Sequence, residues 1–327
     1  MRENKTILLL IIVVLLLFLG ISCTNDEKKE PQYPLNGPIP HSEIVFMPDA
    51  DPIHVKIDSK TLGFIDADGS NRQEYTFKLV GGALSNFGKH IPSQYASHPL
   101  WSMDGDELVF GIRDLPPNTR LIAADGRMYG QACKDDIGLT FDLQGNIFTM
   151  LSKDDQAYEE YKDISSTILI GRYDLMSCQI VSVFSLPLPF GSFVSEINES
   201  NNGFLTAALF DNEEDIEKIY IYNQSTGESQ TLLGYHPSLT EDGTLLAYYN
   251  RTGSLVIRDM ETGEERMLKV YSKNEGWAWS PDYISMPGWS PDNKWLVYNT
   301  PEGEIYKINI ETKENIYLTY GWAPDWR

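Results

Sequence analysis

Two histidines are the clearest candidates for chemistry in this sequence of 327 residues. His98 and His236 each precede the proline of a repeated motif, so they occupy equivalent positions in two repeats. Two imidazoles that face one cavity could hold a metal ion together with a carboxylate. The same position carries Met286 and Ala323 in other repeats, which favours a polar lining without a metal. We therefore assign no metal, no cofactor and no catalytic residue.

Motifs of common enzyme classes are missing from the sequence. It contains no Gly-x-Ser-x-Gly elbow of a hydrolase and no Gly-x-Gly-x-x-Gly or other phosphate-binding loop. Asp66-x-Asp68-Gly69 resembles the start of a calcium loop, but the twelfth position, which needs a bidentate glutamate, is Phe77. We interpret this segment as a turn.

The elements that carry the histidine motif are short strands that recur about every 40 residues, a period typical of propeller blades. Two complete copies of the motif begin at Pro99 and Pro287, and Trp322–Arg327 is a third copy cut short. Its anchors are Trp101, Phe141, Leu239, Trp289 and Trp326, with a weaker position near Glu199. Strands are predicted at Glu107–Gly111, Lys218–Tyr222, Leu245–Tyr249 and Trp295–Asn299, between Asp-Gly and Thr-Gly turns. A truncated last repeat predicts a ring in which Tyr320–Arg327 completes the repeat begun at the N-terminal end of the domain.

The motif resembles the WD-like repeats of TolB-type β-propellers. The resemblance covers about residues 42–327 and is carried by Pro-x-Trp-Ser-x-Asp-Gly, then Leu-Val-Phe, then Ile-Asp-Ala-Asp-Gly-Ser-Asn. It implies an all-β, six-bladed propeller closed by the C-terminal strand, although five or seven blades also fit the degenerate third and fourth repeats. It also implies interaction or scaffolding, with no chemistry of its own.

One end of such a propeller is the predicted binding face, because the long loops fall on one side of the rigid scaffold. The residues that we place there are His98, Tyr235, His236, Trp277, Trp279, Met286 and Trp322. Exposed aromatic side chains beside a channel suit the stacking of a sugar or peptide. We predict a non-catalytic module that binds a protein, peptide or glycan. The alternative is a metal-dependent enzyme, such as a lactonase or lyase, with its site in the central channel.

The N-terminus predicts export and a membrane anchor. Arg2 and Lys5 precede an apolar run from Ile7 to Ile21, which at 15 residues is shorter than the ~20 that span a bilayer comfortably. Residues 1–22 are thus predicted to be a lipoprotein signal peptide, with lipid on Cys23, and residues 23–41 to be a Pro-rich tether. An uncleaved signal anchor is the alternative. Both place the propeller on the extracytoplasmic side of the cell membrane or outer membrane.

Charge and cysteine content limit the partners further. The formal net charge of −21 repels nucleic acid, so we expect none among the partners. Cys133 and Cys178 could form a disulfide in an oxidising compartment or remain two buried thiols. We expect a monomer whose partners are an envelope protein, peptide or glycan and, through the N-terminus, the membrane.

Overall fold

Every regular element in the described part of the chain is a β-strand. The computed structural model describes residues 42–48, 61–76, 95–101, 107–113, 118–123, 128–131, 142, 146–151, 168–174, 179–188, 193–211, 216–269 and 284–326. All of them belong to one compact unit, Tyr33–Arg327. Across these ranges, we find no helix of the length and apolar character that crossing a membrane requires. The all-β prediction is confirmed.

The strands form antiparallel meanders, which we number in chain order. Meander 1 contains β1 (Ile44–Met47), β2 (Thr61–Ile65) and β3 (Gln73–Thr76), and its fourth strand is β22 (Trp322–Trp326), in the order β22-β1-β2-β3. Meander 2 contains β4 (Tyr95–Trp101), β5 (Glu107–Arg113), β6 (Asn118–Ala123) and β7 (Met128–Gln131). Meander 3 contains β8 (Ile147–Met150), β9 (Ile168–Asp174) and β10 (Gln179–Leu186).

A seven-stranded sheet follows, and it consists of two meanders that share one long strand. Meander 4 contains β11 (Phe193–Glu199), β12 (Phe204–Asp211), β13 (Ile216–Asn223) and the first half of β14 (Ser229–Leu239). Meander 5 contains the second half of β14, then β15 (Leu245–Asn250), β16 (Leu255–Asp259) and β17 (Glu265–Lys269). The change occurs within β14, because Leu233 pairs with β13 and Gly234 pairs with β15. Meander 6 contains β18 (Gly288–Trp289), β19 (Trp295–Asn299), β20 (Glu304–Asn309) and β21 (Asn315–Tyr320).

The C-terminal strand lies where the truncated repeat predicted it. β22 pairs antiparallel with β1, with Asp325 opposite Val45 and Trp326 opposite Ile44. The first and last described strands of the domain therefore belong to one sheet. The four strands predicted from the sequence are also present, as β5, β13, β15 and β19.

Central strands bury both of their faces, which explains their almost continuous apolar sequences. In β15, Leu246 and Tyr248 pack in a cluster with Ile219 and Ile221 of meander 4. The alternate residues of the same strand, Ala247 and Tyr249, pack in a cluster with meander 6. Successive side chains of a strand point to opposite faces, so meander 5 is packed between meanders 4 and 6.

The same packing links further meanders in series. One cluster joins meanders 3 and 4, including Phe148 and Leu205. Another joins meander 6 to meander 1, including Val297 and Ile44. Meanders 1 and 2 meet where the ring of Phe64 lies 6.2 Å from that of Trp101. In the described residues, packing therefore runs without interruption from meander 3 through 4, 5, 6 and 1 to meander 2.

The Ser-Pro-Asp part of the motif is a structural turn between the first two strands of a meander. The Ser290 hydroxyl donates to Asp292 Oδ1 at 2.7 Å and accepts the Trp295 N–H at 3.0 Å. Thr240 and Asp242 repeat this arrangement in meander 5. The hydrogen bond from Ser290 lowers the pKa of Asp292 below its ordinary value, so the carboxylate stays charged. These hydrogen bonds give the turn its physical basis.

Candidate functional site

The first strand of a meander carries a β-bulge at the same register in four cases. We call these strands, β22, β4, β11 and the second half of β14, the lead strands. In each, two residues lie opposite one residue of the neighbouring strand. The pairs are His98-Pro99, Glu196-Ile197, His236-Pro237 and Ala323-Pro324. Met286 holds the corresponding place before β18, because Gly288 pairs with Val297 as Ser238 pairs with Ala247.

The first residue of the bulge has a left-handed backbone conformation at three of these positions. Its φ is 51° at Glu196, 52° at His236 and 45° at Ala323. This region costs a non-glycine residue roughly 1–2 kcal/mol, so the surrounding structure must hold it there. Bulges of this kind redirect a side chain relative to the regular strand. The bulges are thus where the lead strands can present side chains of different chemistry.

Glu196 and His236 form a carboxylate–imidazole pair between meanders 4 and 5. Glu196 Oε1 lies 2.7 Å from His236 Nδ1, and the two side chains are 21% and 15% exposed. An ionised carboxylate only accepts hydrogen bonds, so Nδ1 carries the proton and donates it. The carboxylate thereby orients the imidazole and selects its tautomer.

The imidazole is supported from the meander 5 side by Tyr249. The two rings meet edge to face, with centroids 6.4 Å apart and an interplanar angle of 86°. Tyr249 is fully buried, and this burial raises the pKa of its phenol well above the ordinary value. Tyr249 therefore stays neutral and acts as a rigid wall for His236.

Asn198 connects this pair to a third meander. Its Nδ2 donates to the carbonyl oxygens of Glu196, at 2.9 Å, and Pro237, at 3.0 Å. The same nitrogen lies 3.6 Å from Met286 Sδ. Residues at or beside the bulge position of meanders 4, 5 and 6 therefore meet at one place.

A second polar bridge joins meanders 1 and 2 at the residue that follows the bulge. Asp325 Oδ2 accepts the Trp101 N–H at 2.7 Å. Its Oδ1 lies so close to Gly288 of meander 6 that a β-carbon there would come within 3.0 Å of it. Burial of the carboxyl raises the pKa of Asp325 to about 7, although the N–H groups of Trp101 and Trp326 lower it.

The structure brings together only part of the predicted binding face. His236 and Met286 both contact the Glu196–Asn198 segment. Tyr235 precedes the bulge and packs, half-buried, against the cluster of meanders 5 and 6. Trp322 is buried, at 6% exposure, in the strand that pairs with β1. His98 lies at the bulge of β4, and its side chain is outside the described residues, as are Cys23, Cys133, Cys178, Trp277 and Trp279.

Sequence reasoning missed Glu196 and Asn198. The repeat containing them has Ile197 where the other motifs have proline, and Glu199 where they have tryptophan or leucine. Ser200-Asn201-Asn202-Gly203 was the remaining sign of the turn, and its Ser200 hydroxyl does donate to Asn202 Oδ1, at 2.7 Å. Counting back from Ser200 as from Thr240 would have placed Glu196 beside His236.

A metal site would need more ligands than this pair supplies. Within the described ranges, no group of three histidine, cysteine, aspartate or glutamate side chains could hold a metal ion. The described pair can orient a proton or bind a polar group, with Glu196 as acceptor and the imidazole beside it.

Comparisons with known proteins concern the fold. No family model matches the sequence, and no curated protein matches it. Among solved structures, the chain is similar to an oligogalacturonate lyase in complex with manganese, at 18% identity and a TM-score of 0.43. That match covers 68% of this chain and 64% of the lyase chain, which is less than two thirds of its length.

A second similar structure is the β-propeller domain of Cps50 (Swd1) from Myceliophteria thermophila. It is 14% identical, with a TM-score of 0.41 and 68% of each chain covered. At such values neither similarity bears on function. Successive antiparallel meanders of three or four described strands, packed face to face in series, correspond to the arrangement of propeller blades. The described meanders thus match the arrangement of β-propeller blades that the repeats predicted.

Proposed function

We propose that this protein is a non-catalytic binding module whose ligand site is centred on the lead strands of meanders 4 and 5 and on Met286, just before the first strand of meander 6. The observation that carries the proposal is the meeting of Glu196, Asn198, His236 and Met286 from three successive meanders. A few polar groups that converge on one place, held by rigid strands, are typical of a ligand site. The ligand is a protein segment, peptide or glycan of the cell envelope.

The proposal includes a closed ring of six TolB-like blades. The six meanders are the blades, and β22 closes the ring by completing meander 1. A ring of six needs six contacts between neighbours, and five are found in the described residues: 1–2, 3–4, 4–5, 5–6 and 6–1. In such a ring the lead strands surround the central channel. The bulge residues then line that channel near one of its ends.

The proposed location is the extracytoplasmic face of a membrane. Residues 1–22 would direct export, Cys23 would carry lipid, and residues 23–41 would tether the propeller. The support for this part is the apolar run Ile7–Ile21 and the Pro-rich segment after Cys23. A formal charge of −21 is consistent with a ligand that is neither nucleic acid nor strongly anionic.

The binding site can be tested with full-length protein in detergent micelles. We would measure its binding to an array of bacterial envelope glycans and peptides, alongside Glu196→Gln/His236→Gln. Thr262→Ala is the control, since Thr262 lies in the exposed turn between β16 and β17, and neither of these strands pairs with β14. We expect the wild type and the control to bind the same array members. The double variant should bind them tenfold or more weakly. Signals that the double variant retains in full would refute a site at this pair.

A metal-dependent enzyme is the second candidate, because Glu196 adds a carboxylate beside His236. With His98 at the equivalent bulge, such a site would contain two imidazoles and one carboxylate. Metal analysis of protein purified without chelators separates the two candidates. Stoichiometric metal that disappears in His98→Ala/His236→Ala would favour the enzyme. The binding module predicts metal-free protein that the two substitutions leave unchanged.

A further inference from the structure

Asn198 occupies an unusual place among the lead strands. It is the residue immediately after the bulge of β11, and Ser238, Gly288 and Asp325 hold the same register position in other meanders. Thr206, which pairs with Asn198, is fully buried. Asn198 itself is only partly exposed, so its carboxamide is held close to the backbone of both neighbouring bulges.

The side-chain amide of Asn198 donates both of its hydrogens to carbonyl oxygens of bulge residues. One bond goes to Glu196 O in its own bulge, at 2.9 Å, and the other to Pro237 O in the bulge of meander 5, at 3.0 Å. A carboxamide nitrogen has two hydrogens, so these two bonds occupy its donors. The Met286 sulfur, 3.6 Å from Asn198 Nδ2, then makes only a weak contact with the amide, from meander 6.

These two bonds fix the separation of two strained segments. Glu196 and His236 have φ values of 51° and 52°, a conformation that persists only where the surroundings enforce it. Each of the two bonds ends on the carbonyl of a bulge residue, one in each meander. Holding both carbonyls on one nitrogen sets the distance between the bulges, and hence the 2.7 Å contact of Glu196 Oε1 with His236 Nδ1.

We propose that Asn198 is a positioning residue, which holds Glu196 and His236 in hydrogen-bonding contact and fixes the imidazole in the Nδ1–H tautomer. This inference rests on the proposed function, because the pair is the centre of the proposed ligand site. The amide acts through the two carbonyls and does not need to touch a ligand.

The test is the tautomer of His236 in the full-length protein, measured by nitrogen NMR with ¹⁵N-labelled histidine and no ligand. Spectra are recorded at a pH where the imidazole is neutral, and His236→Gln identifies the resonances among the five histidines. Asn198→Leu keeps the size of the side chain but removes its donors. Asn201→Leu is the matched control, since Asn201 Nδ2 also bridges meanders 4 and 5, to Glu241 Oε1 at 3.0 Å, outside the bulges.

We expect wild type and Asn201→Leu to hold mainly the Nδ1–H tautomer, with ratios within about twofold of each other. In Asn198→Leu the ratio of Nδ1–H to Nε2–H should fall about tenfold, as for the loss of one charge-assisted hydrogen bond. A merely structural role would lower the melting temperature and leave this ratio unchanged, which would overturn the proposal. A wild-type ratio equal to that of the unfolded chain would overturn it too.

Asn198→Ala carries the same test if Asn198→Leu does not fold. Failure of this proposal is distinguishable from failure of the proposed function, because the tautomer is measured without ligand. A normal tautomer response without binding to any glycan or peptide would leave Asn198 as a positioning residue and remove the binding function. Binding that depends on Glu196 and His236, with an unchanged tautomer ratio in Asn198→Leu, would support the binding function and remove Asn198 as a positioning residue.

Discussion

Asp325 should make the stability of the protein fall as pH rises through neutrality. Burial raises the pKa of this carboxyl from 3.8 to about 7 in the folded protein. Between these two values the folded state binds a proton that the unfolded state has released. The stabilisation is therefore fully present below the unfolded pKa and is lost as pH rises through the folded pKa.

The size of the effect follows from the same shift. One pKa unit corresponds to about 1.4 kcal/mol, so the rise of about three units for Asp325 corresponds to about 4 kcal/mol in full. Over the interval from pH 5 to pH 8, we expect the free energy of unfolding to fall by about 2.5 kcal/mol because of Asp325. Asp325→Asn should not show this fall, since its amide is neutral but can still accept the Trp101 N–H.

The assay is urea unfolding followed by tryptophan fluorescence at pH 5, 6, 7 and 8. The difference in free energy of unfolding between Asp325→Asn and wild type should rise steadily in favour of the variant across this series. Asp292→Asn is the control, because the pKa of that exposed carboxylate, which the hydrogen bond from Ser290 lowers below its ordinary value, lies below the whole interval. Its difference from wild type should be flat. Parallel curves for Asp325→Asn and wild type would refute a raised pKa for the Asp325 carboxyl at the β22–β4 contact.

Three further predictions concern the scaffold. Deleting Tyr320–Arg327 should sharply lower the melting temperature or give insoluble protein, because it leaves the edge of β1 unpaired, and a truncated protein as stable as the full chain would contradict the role of β22. Ser290→Ala should cost about 1 kcal/mol in urea unfolding, since the hydroxyl both donates to Asp292 and accepts the Trp295 N–H. Arg172→Leu should cost about 3–5 kcal/mol, because it leaves the buried carboxylate of Asp142 and the partly buried one of Glu199 without their cation. A loss below about 1 kcal/mol would show that this network is not needed.

The sequence predicted strands and turns well where the motif is complete. β15 and β19 follow Thr-Glu-Asp-Gly and Ser-Pro-Asp-Asn turns. The hydrogen bonds of these turns join residues that are close in the sequence, so the local sequence predicts them. The pairing of β22 with β1 was also predictable, because a truncated motif indicates which strand is missing elsewhere. Local turn chemistry and repeat counting were sufficient for these features.

The site was predictable only in part, because it depends on register between strands far apart in the sequence. His236 was found from its proline, but Glu196 lies 40 residues earlier in a repeat whose proline and tryptophan are both replaced. Its bulge depends on pairing with β12, and the local sign that remains of this register is the turn that begins at Ser200. Trp322 illustrates the opposite problem. Its motif position placed it on the predicted binding face, but its side chain is buried, at 6% exposure, with its ring close to Gly303 of meander 6.

In the lead strands, the first residue of the bulge and the residue after the bulge have different roles. The residue after the bulge fastens neighbouring meanders: Asn198 binds Pro237 O, the Ser238 carbonyl accepts the Trp289 indole N–H at 3.0 Å, and Asp325 binds the Trp101 N–H. The first bulge residue carries no such constraint on its type, since glutamate, histidine and alanine all adopt the same left-handed conformation there. Because the backbone at this position is enforced by its neighbours, its side chain is free to vary without loss of the fold. The chemistry of a ligand site in this scaffold should therefore be determined mainly by the bulge residues, and its geometry by the residues that follow them.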